Sequence, residues 1–113
     1  MNEGKIPTVG QLMQPLMKAL KNLGNSGSID EIYDEVVKIE KYDEDTLAVL
    51  HNPDRSNQNE VGNRLAWART HLKRKGYLVN SSRGIWTLTN KAKQASTDNR
   101  ELVKYIRSLD KRI

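Results

Sequence analysis

From Asn59 or Glu60 to Lys75 the apolar residues Val61, Leu65, Ala68 and Leu72 recur at i, i+4, i+7 and i+11, and directly after Gly76 that spacing gives way to short β-rich runs. At about 100° per residue the four side chains form one narrow stripe that must face a core. Gly76 supplies the stop. The runs Tyr77-Leu78-Val79 and Ile85-Trp86-Thr87-Leu88-Thr89, joined by Asn80-Ser81-Ser82-Arg83-Gly84, predict a hairpin. Trp86 and Leu88 fall on one of its faces, and Ile85, Thr87 and Thr89 on the other. A two-stranded hairpin is not stable alone, so it must dock on helices.

Two earlier segments supply those helices. Leu12, Met13, Leu16, Met17, Leu20 and Leu23 keep helical spacing up to Gly24, with Thr8 and Gln11 in capping-box register. Pro15 lies inside this pattern and predicts a kink or a restart one turn later. Asn25-Ser26-Gly27 reads as a turn, and Ser28 to Glu31 as a second capping box opening a helix with Ile29, Ile32, Tyr33, Val36 and Val37 on one side. Asp30 and Glu31 suit the positive end of that helix and are structural rather than catalytic. Tyr42 to Leu50 predicts a short helix capped by Asp43, followed by a polar loop over 51–58. Residues 90–95 predict another short helix, and Arg100 to Ile113 a final amphipathic one with Leu102, Ile106, Leu109 and Ile113 in one stripe.

At 113 residues the chain is the size of one domain. It has no cysteine, which excludes disulfide scaffolds, thiolate zinc sites and cysteine nucleophiles. No apolar run reaches the ~18 residues of a membrane span, and the N-terminus lacks the apolar centre of a signal peptide, so the expected compartment is the cytoplasm and no membrane partner is expected.

The net charge of +5 is unevenly spread. Residues 1–58 hold six basic and ten acidic side chains, a balance of −4, while residues 59–113 hold thirteen basic and four acidic, a balance of +9. No acid occurs from Val61 to Thr97, a window that contains Arg64, Arg69, Lys73, Arg74, Lys75, Arg83, Lys91 and Lys93. A one-signed stretch of this kind is the footprint of a phosphate-binding surface, or else a solvated basic face.

Catalytic constellations are missing. His51 and His71 have no metal-ligand spacing, so no metal or other cofactor is expected. Phosphate-cradling glycine loops and the serine-hydrolase elbow do not occur, and no small-molecule substrate is expected. Pro53-Asp54 looks like the start of a nuclease metal site, but the next acid, Glu60, is followed by Val61-Gly62 without the lysine such a centre needs. Glu3-Gly4-Lys5 has the triplet without a preceding aspartate. The expectation is a DNA-binding domain and not an enzyme.

Helix, helix, basic helix and a hairpin with an arginine near its tip are the order of a winged helix-turn-helix: mainly α with a small β-hairpin, plus a C-terminal helix. Residues 1–95 form the expected winged-helix domain, and 96–113 a linker and amphipathic helix. The third helix would enter a major groove and the wing would touch the adjacent backbone. Asn63, Ala66, Thr70, Lys73 and Arg74 lie opposite the apolar stripe. Trp67 lies nearer this polar face than the core and is expected to be partly buried against a neighbouring element. The candidate contacts to double-stranded DNA are Asn59, Asn63, Arg64, Trp67, Thr70, Lys73, Arg74 and Arg83. Cations would neutralise phosphates, while Asn63, Thr70 and Arg74 would read base edges.

The run from Val61 to Leu78, VGNRLAWARTHLKRKGYL, followed by Arg83-Gly84-Ile85-Trp86-Thr87-Leu88-Thr89, resembles the N-terminal domain of Mrr-type restriction endonucleases. Ile6-Pro7-Thr8, Leu12-Met13 with Pro15, and Ile29 with Glu31-Ile32-Tyr33 agree with that pattern, so the resemblance covers roughly residues 6 to 95. It makes Pro15 a family feature, and makes Trp67, Arg69 and Trp86 typical residues. The resemblance implies a winged-helix module that directs a C-terminal nuclease to modified, typically methylated, DNA in prokaryotic defence. The nuclease half is not among these residues, which fits either a piece of a longer restriction protein or a free-standing relative. Two other readings stand beside it. One is an interaction module forming a homodimer through residues 99–113; the other is a winged-helix transcription regulator.

Overall fold

The computed structural model describes residues 6–50 and 59–94, together with Lys104, Arg107 and Ser108, whose backbone is helical. The elements run α1 (Val9–Asn22), β1 (Ser26–Ser28), α2 (Ile29–Glu40), α3 (Glu44–Ala48), α4 (Glu60–Arg74), β2 (Leu78–Ser82), β3 (Ile85–Leu88) and α5 (Asn90–Gln94). The expected class is found: mainly helical with a small antiparallel sheet, an arrangement compatible with a winged-helix-like fold.

Each helix starts where its sequence supplies an acceptor for otherwise orphaned backbone N–H groups. Thr8 and Gln11, and again Ser28 and Glu31, form reciprocal capping boxes at α1 and α2. Asp43 caps α3 and Asn59 caps α4. At the other end of α4, Gly76 has a φ of 84°, and the N–H groups of Gly76 and Tyr77 return to the carbonyls of Lys73 and Leu72. The left-handed backbone there favours glycine.

Val61, Leu65, Ala68 and Leu72 of α4 are all fully buried, against Leu12, Met13, Leu16, Ala19 and Leu20 of α1 and Ile32 and Val36 of α2. Burying each leucine contributes about 1.5–3 kcal/mol. Tyr77, Leu78, Leu88 and Ala92 close the core from the sheet and α5.

Four local expectations change. Of the kink and the restart expected at Pro15, the restart does not occur: α1 continues from Val9 to Asn22 with the proline inside. Proline removes one backbone hydrogen bond, and the burial of Leu12, Met13, Leu16 and Met17 on both sides of it offsets that loss. The residues read as the turn Asn25-Ser26-Gly27 contribute to a third strand, β1, which pairs antiparallel with β3 through Ser26–Thr87, Gly27–Trp86 and Ser28–Ile85. The wing hairpin has a shorter connection than its polar sequence suggests, with β2 running to Ser82 and only Arg83 and Gly84 between the strands. A bulge between Asn80 and Ser82 makes room, and Asn80 Nδ2 donates to the carbonyl of Ile85 at 2.8 Å. The short third helix covers Glu44–Ala48 rather than Tyr42 to Leu50. Leu102, Ile106, Leu109 and Ile113, on which the dimer reading rests, lie outside the described residues, as do the polar loop over 51–58 and most of 96–113.

Candidate nucleic-acid interface

The sheet order β1-β3-β2 places β3 in the centre, so the β2–β3 hairpin is anchored through β3 on β1 and has β2 at its edge. Trp86 and Leu88 of β3 face the helices: Leu88 is buried and Trp86 packs, half-buried, against the core. On the other face the Thr87 hydroxyl lies 2.7 Å from Ser26 Oγ and 2.8 Å from Ser81 Oγ, linking all three strands. Arg83 and Gly84 sit at the exposed hairpin tip, with Gly84 at a φ of 76°.

The eight candidate contacts divide by what their polar groups already hold. Asn59 is the α4 cap: its Oδ1 accepts from Gly62 N at 2.7 Å and its Nδ2 donates to the Tyr33 hydroxyl at 2.6 Å. Arg64 turns back toward the N-terminal segment, donating from Nη1 to the Pro7 carbonyl at 3.0 Å and lying 3.6 Å from Glu60 Oε1. Asn63 donates to Glu60 Oε1 at 3.1 Å, and the Thr70 hydroxyl donates to the Ala66 carbonyl one turn back at 3.1 Å. Lys73, Arg74 and Arg83 are exposed, and among the described residues they have no hydrogen bond or ion pair. α4 thus brings Asn63, Trp67, Thr70, Lys73 and Arg74 together, and Arg83 stands apart at the wing tip.

Trp67 is covered only in part. It is 53% exposed, more than packing against a neighbouring element predicts, and the ring beside it is that of His71 at 6.5 Å, on its own helix. Burial and the nearby Arg74 charge both hold the His71 imidazole below its ordinary pKa.

The family model for the Mrr N-terminal domain matches residues 10–98, which takes in every element from α1 to α5 except Val9, the first residue of α1. The chain belongs to the Mrr N-terminal domain family. Membership associates this Mrr N-terminal domain with Mrr-type restriction systems. Compared with curated proteins and with solved structures, it has no match. No helix among its described residues is long and apolar enough to cross a membrane. Nor do three His, Asp or Glu side chains converge there as a metal would require.

One residue of this Mrr N-terminal domain departs from the reading of a uniform basic face. Arg69 is 7% exposed, and its Cζ lies 5.7 Å from the centroid of the Trp86 ring. Lys73, one turn later, has its Nζ 6.0 Å from the same centroid. α4 and β3 therefore meet through an indole and two cations. Sequence spacing carried a signal for this, because at about 100° per residue Arg69 falls only some 70° from the middle of the apolar stripe. The basic window hid that signal by grouping Arg69 with residues that face solvent.

Proposed function

We propose that this domain binds double-stranded DNA and serves as the non-catalytic recognition module of an Mrr-like restriction system, selecting modified, typically methylated, DNA. The observation that carries the reading is the pairing of α4 with the wing. Lys73 and Arg74 on the exposed side of α4, and Arg83 at the wing tip, are cations without hydrogen-bond or ion-pair partners among the described residues, within a stretch that holds no acid from Val61 to Thr97.

A 15-residue helix is about 22 Å long and enters a major groove about 12 Å wide without obstruction when small residues line its outer face. Ala66 and Thr70 supply those small residues. Lys73, Arg74 and Arg83 take phosphates, releasing counterions; Asn63 and Thr70 reach base edges after exchanging their intrahelical hydrogen bonds, and Trp67 offers an apolar surface. Asn59 and Arg64 act at one remove in this arrangement, by fixing the start of α4 and its position against the Pro7 carbonyl.

The test is a binding titration against one duplex sequence prepared with and without cytosine or adenine methylation. Tighter binding to a methylated form supports the recognition reading. Equal binding to all forms removes modified-base selection and leaves a DNA-binding domain, and no binding to any of them at low salt overturns the proposal.

A further inference from the structure

Arg69 is a charged group that the interface above does not use. It is more than nine-tenths buried, its Nε is sealed from solvent and has no acceptor, and no carboxylate pairs with it among the described residues. The acids of α2 and α3 are distant from it in sequence, and the acid of α4, Glu60, is taken by Arg64. Burial alone lowers the Arg69 pKa, yet a guanidinium remains protonated at neutral pH. Lys73 follows it at i+4, so two like charges repel across one helical turn. The Trp86 ring attracts both cations, but a cation–π contact offsets only part of what it costs to take a guanidinium out of water. This corner therefore has a surplus of positive charge and of hydrogen-bond donors, at the root of the wing where α4 and β3 meet.

We infer that Arg69 and Lys73, gathered on the Trp86 ring, form a subsite for one phosphate oxyanion. Resting on the DNA-binding reading, the oxyanion is a backbone phosphate of the duplex next to the groove that α4 enters. Lys73 reaches it from the exposed side, and the Arg69 guanidinium, held against the indole, supplies paired N–H donors from beneath. Because the buried partner is fixed, this phosphate sets the register of α4 relative to the wing and carries no base information.

Two arms test it. In a Trp67→Phe background Trp86 is the remaining tryptophan, and its fluorescence is followed while inorganic phosphate is added to the full chain, with sodium chloride at matched ionic strength as control. A saturable change with phosphate, absent with chloride, lost in Arg69→Gln and weakened in Lys73→Gln, supports the subsite. A response equal to that of chloride, or unchanged in both variants, overturns it and leaves Arg69 as a cation–π latch. In the second arm, duplex binding is measured against salt, and each variant should lower the log–log slope by about one, equally for all sequences. Unchanged slopes in both variants with normal wild-type binding overturn the subsite while the DNA reading survives. If the wild type binds no duplex the DNA reading fails, and the phosphate titration decides the subsite by itself. Should Arg69→Gln fail to fold, Lys73→Gln, altered at an exposed position, decides both arms.

Discussion

The Nδ2 of Asn59 donates to the hydroxyl of Tyr33 at 2.6 Å, joining the first residue before α4 to the side of α2. The same side chain caps α4 through Gly62 N at 2.7 Å, so one amide sets both where α4 begins and how it lies against α2. A methyl group added at Gly62 would come within 2.8 Å of Asn59 Oδ1, so the capping amide would have to shift to admit a side chain there. Asn59→Ala should lower the unfolding free energy by about 1–2 kcal/mol. Asn59→Asp should retain most of the cap while losing the donor to Tyr33, with a loss closer to about 1 kcal/mol. Denaturant unfolding of the two variants checks the order; equal losses would mean that the cap adds nothing beyond the Tyr33 contact, and no loss in Asn59→Asp would mean that the Tyr33 contact contributes nothing.

At the far end of α4, Gly76→Ala should destabilise the domain by about 1–2 kcal/mol, because a φ of 84° forces any Cβ against the backbone. Crowding is not the cause, since the nearest atom to an added methyl is the Lys91 side chain at 3.8 Å, an ordinary contact. Thermal unfolding of Gly76→Ala and Gly76→Asn separates the two origins. Asparagine tolerates the left-handed region and should cost less than alanine despite its larger size.

Stability should fall at both ends of the pH range for opposite reasons. The folded state holds the His71 pKa below 6.5, so the unfolded chain takes up that proton first and acid favours unfolding as the pH drops below about 6.5. Burial, with Glu40 adding to it, pushes Tyr42 up to about 12. There the unfolded chain loses its proton first, near pH 10, so stability declines as the pH rises from 10 toward 12. Unfolding midpoints measured across pH for His71→Gln and Tyr42→Phe should each lose the corresponding part of the decline, and an unchanged profile would reject that assignment.

Helix placement was legible in the sequence because caps and apolar spacing are local signals: Thr8, Ser28 and Asp43 are followed at three residues by the backbone N–H they accept from, and Gly76 ends α4 as expected. The Trp86 and Leu88 face of the wing follows from alternation alone. What could not be read locally depends on distant partners. Ser26-Gly27-Ser28 has no strand character by itself and becomes β1 only because β3, some sixty residues later, pairs with it and Gly27 leaves room for Leu23, Leu20 and Ile32. Asn80 to Ser82 reads as loop because the bulge that keeps it in the ladder is a tertiary feature. In the candidate interface, charge identified Lys73, Arg74 and Arg83 but did not separate them from Arg64, which is spent on Pro7 and Glu60, or from buried Arg69, which only its angle to the apolar stripe sets apart.

The central claim is that the exposed cations of α4 bind DNA phosphates, and the salt dependence of duplex binding tests it most directly. For the wild type, log Kobs should fall linearly with log salt, losing about 0.9 for each phosphate neutralised, and Lys73→Ala/Arg74→Ala should reduce that slope by about two with the fold intact. A wild-type affinity indifferent to salt, or a double variant with the wild-type slope, would contradict the account.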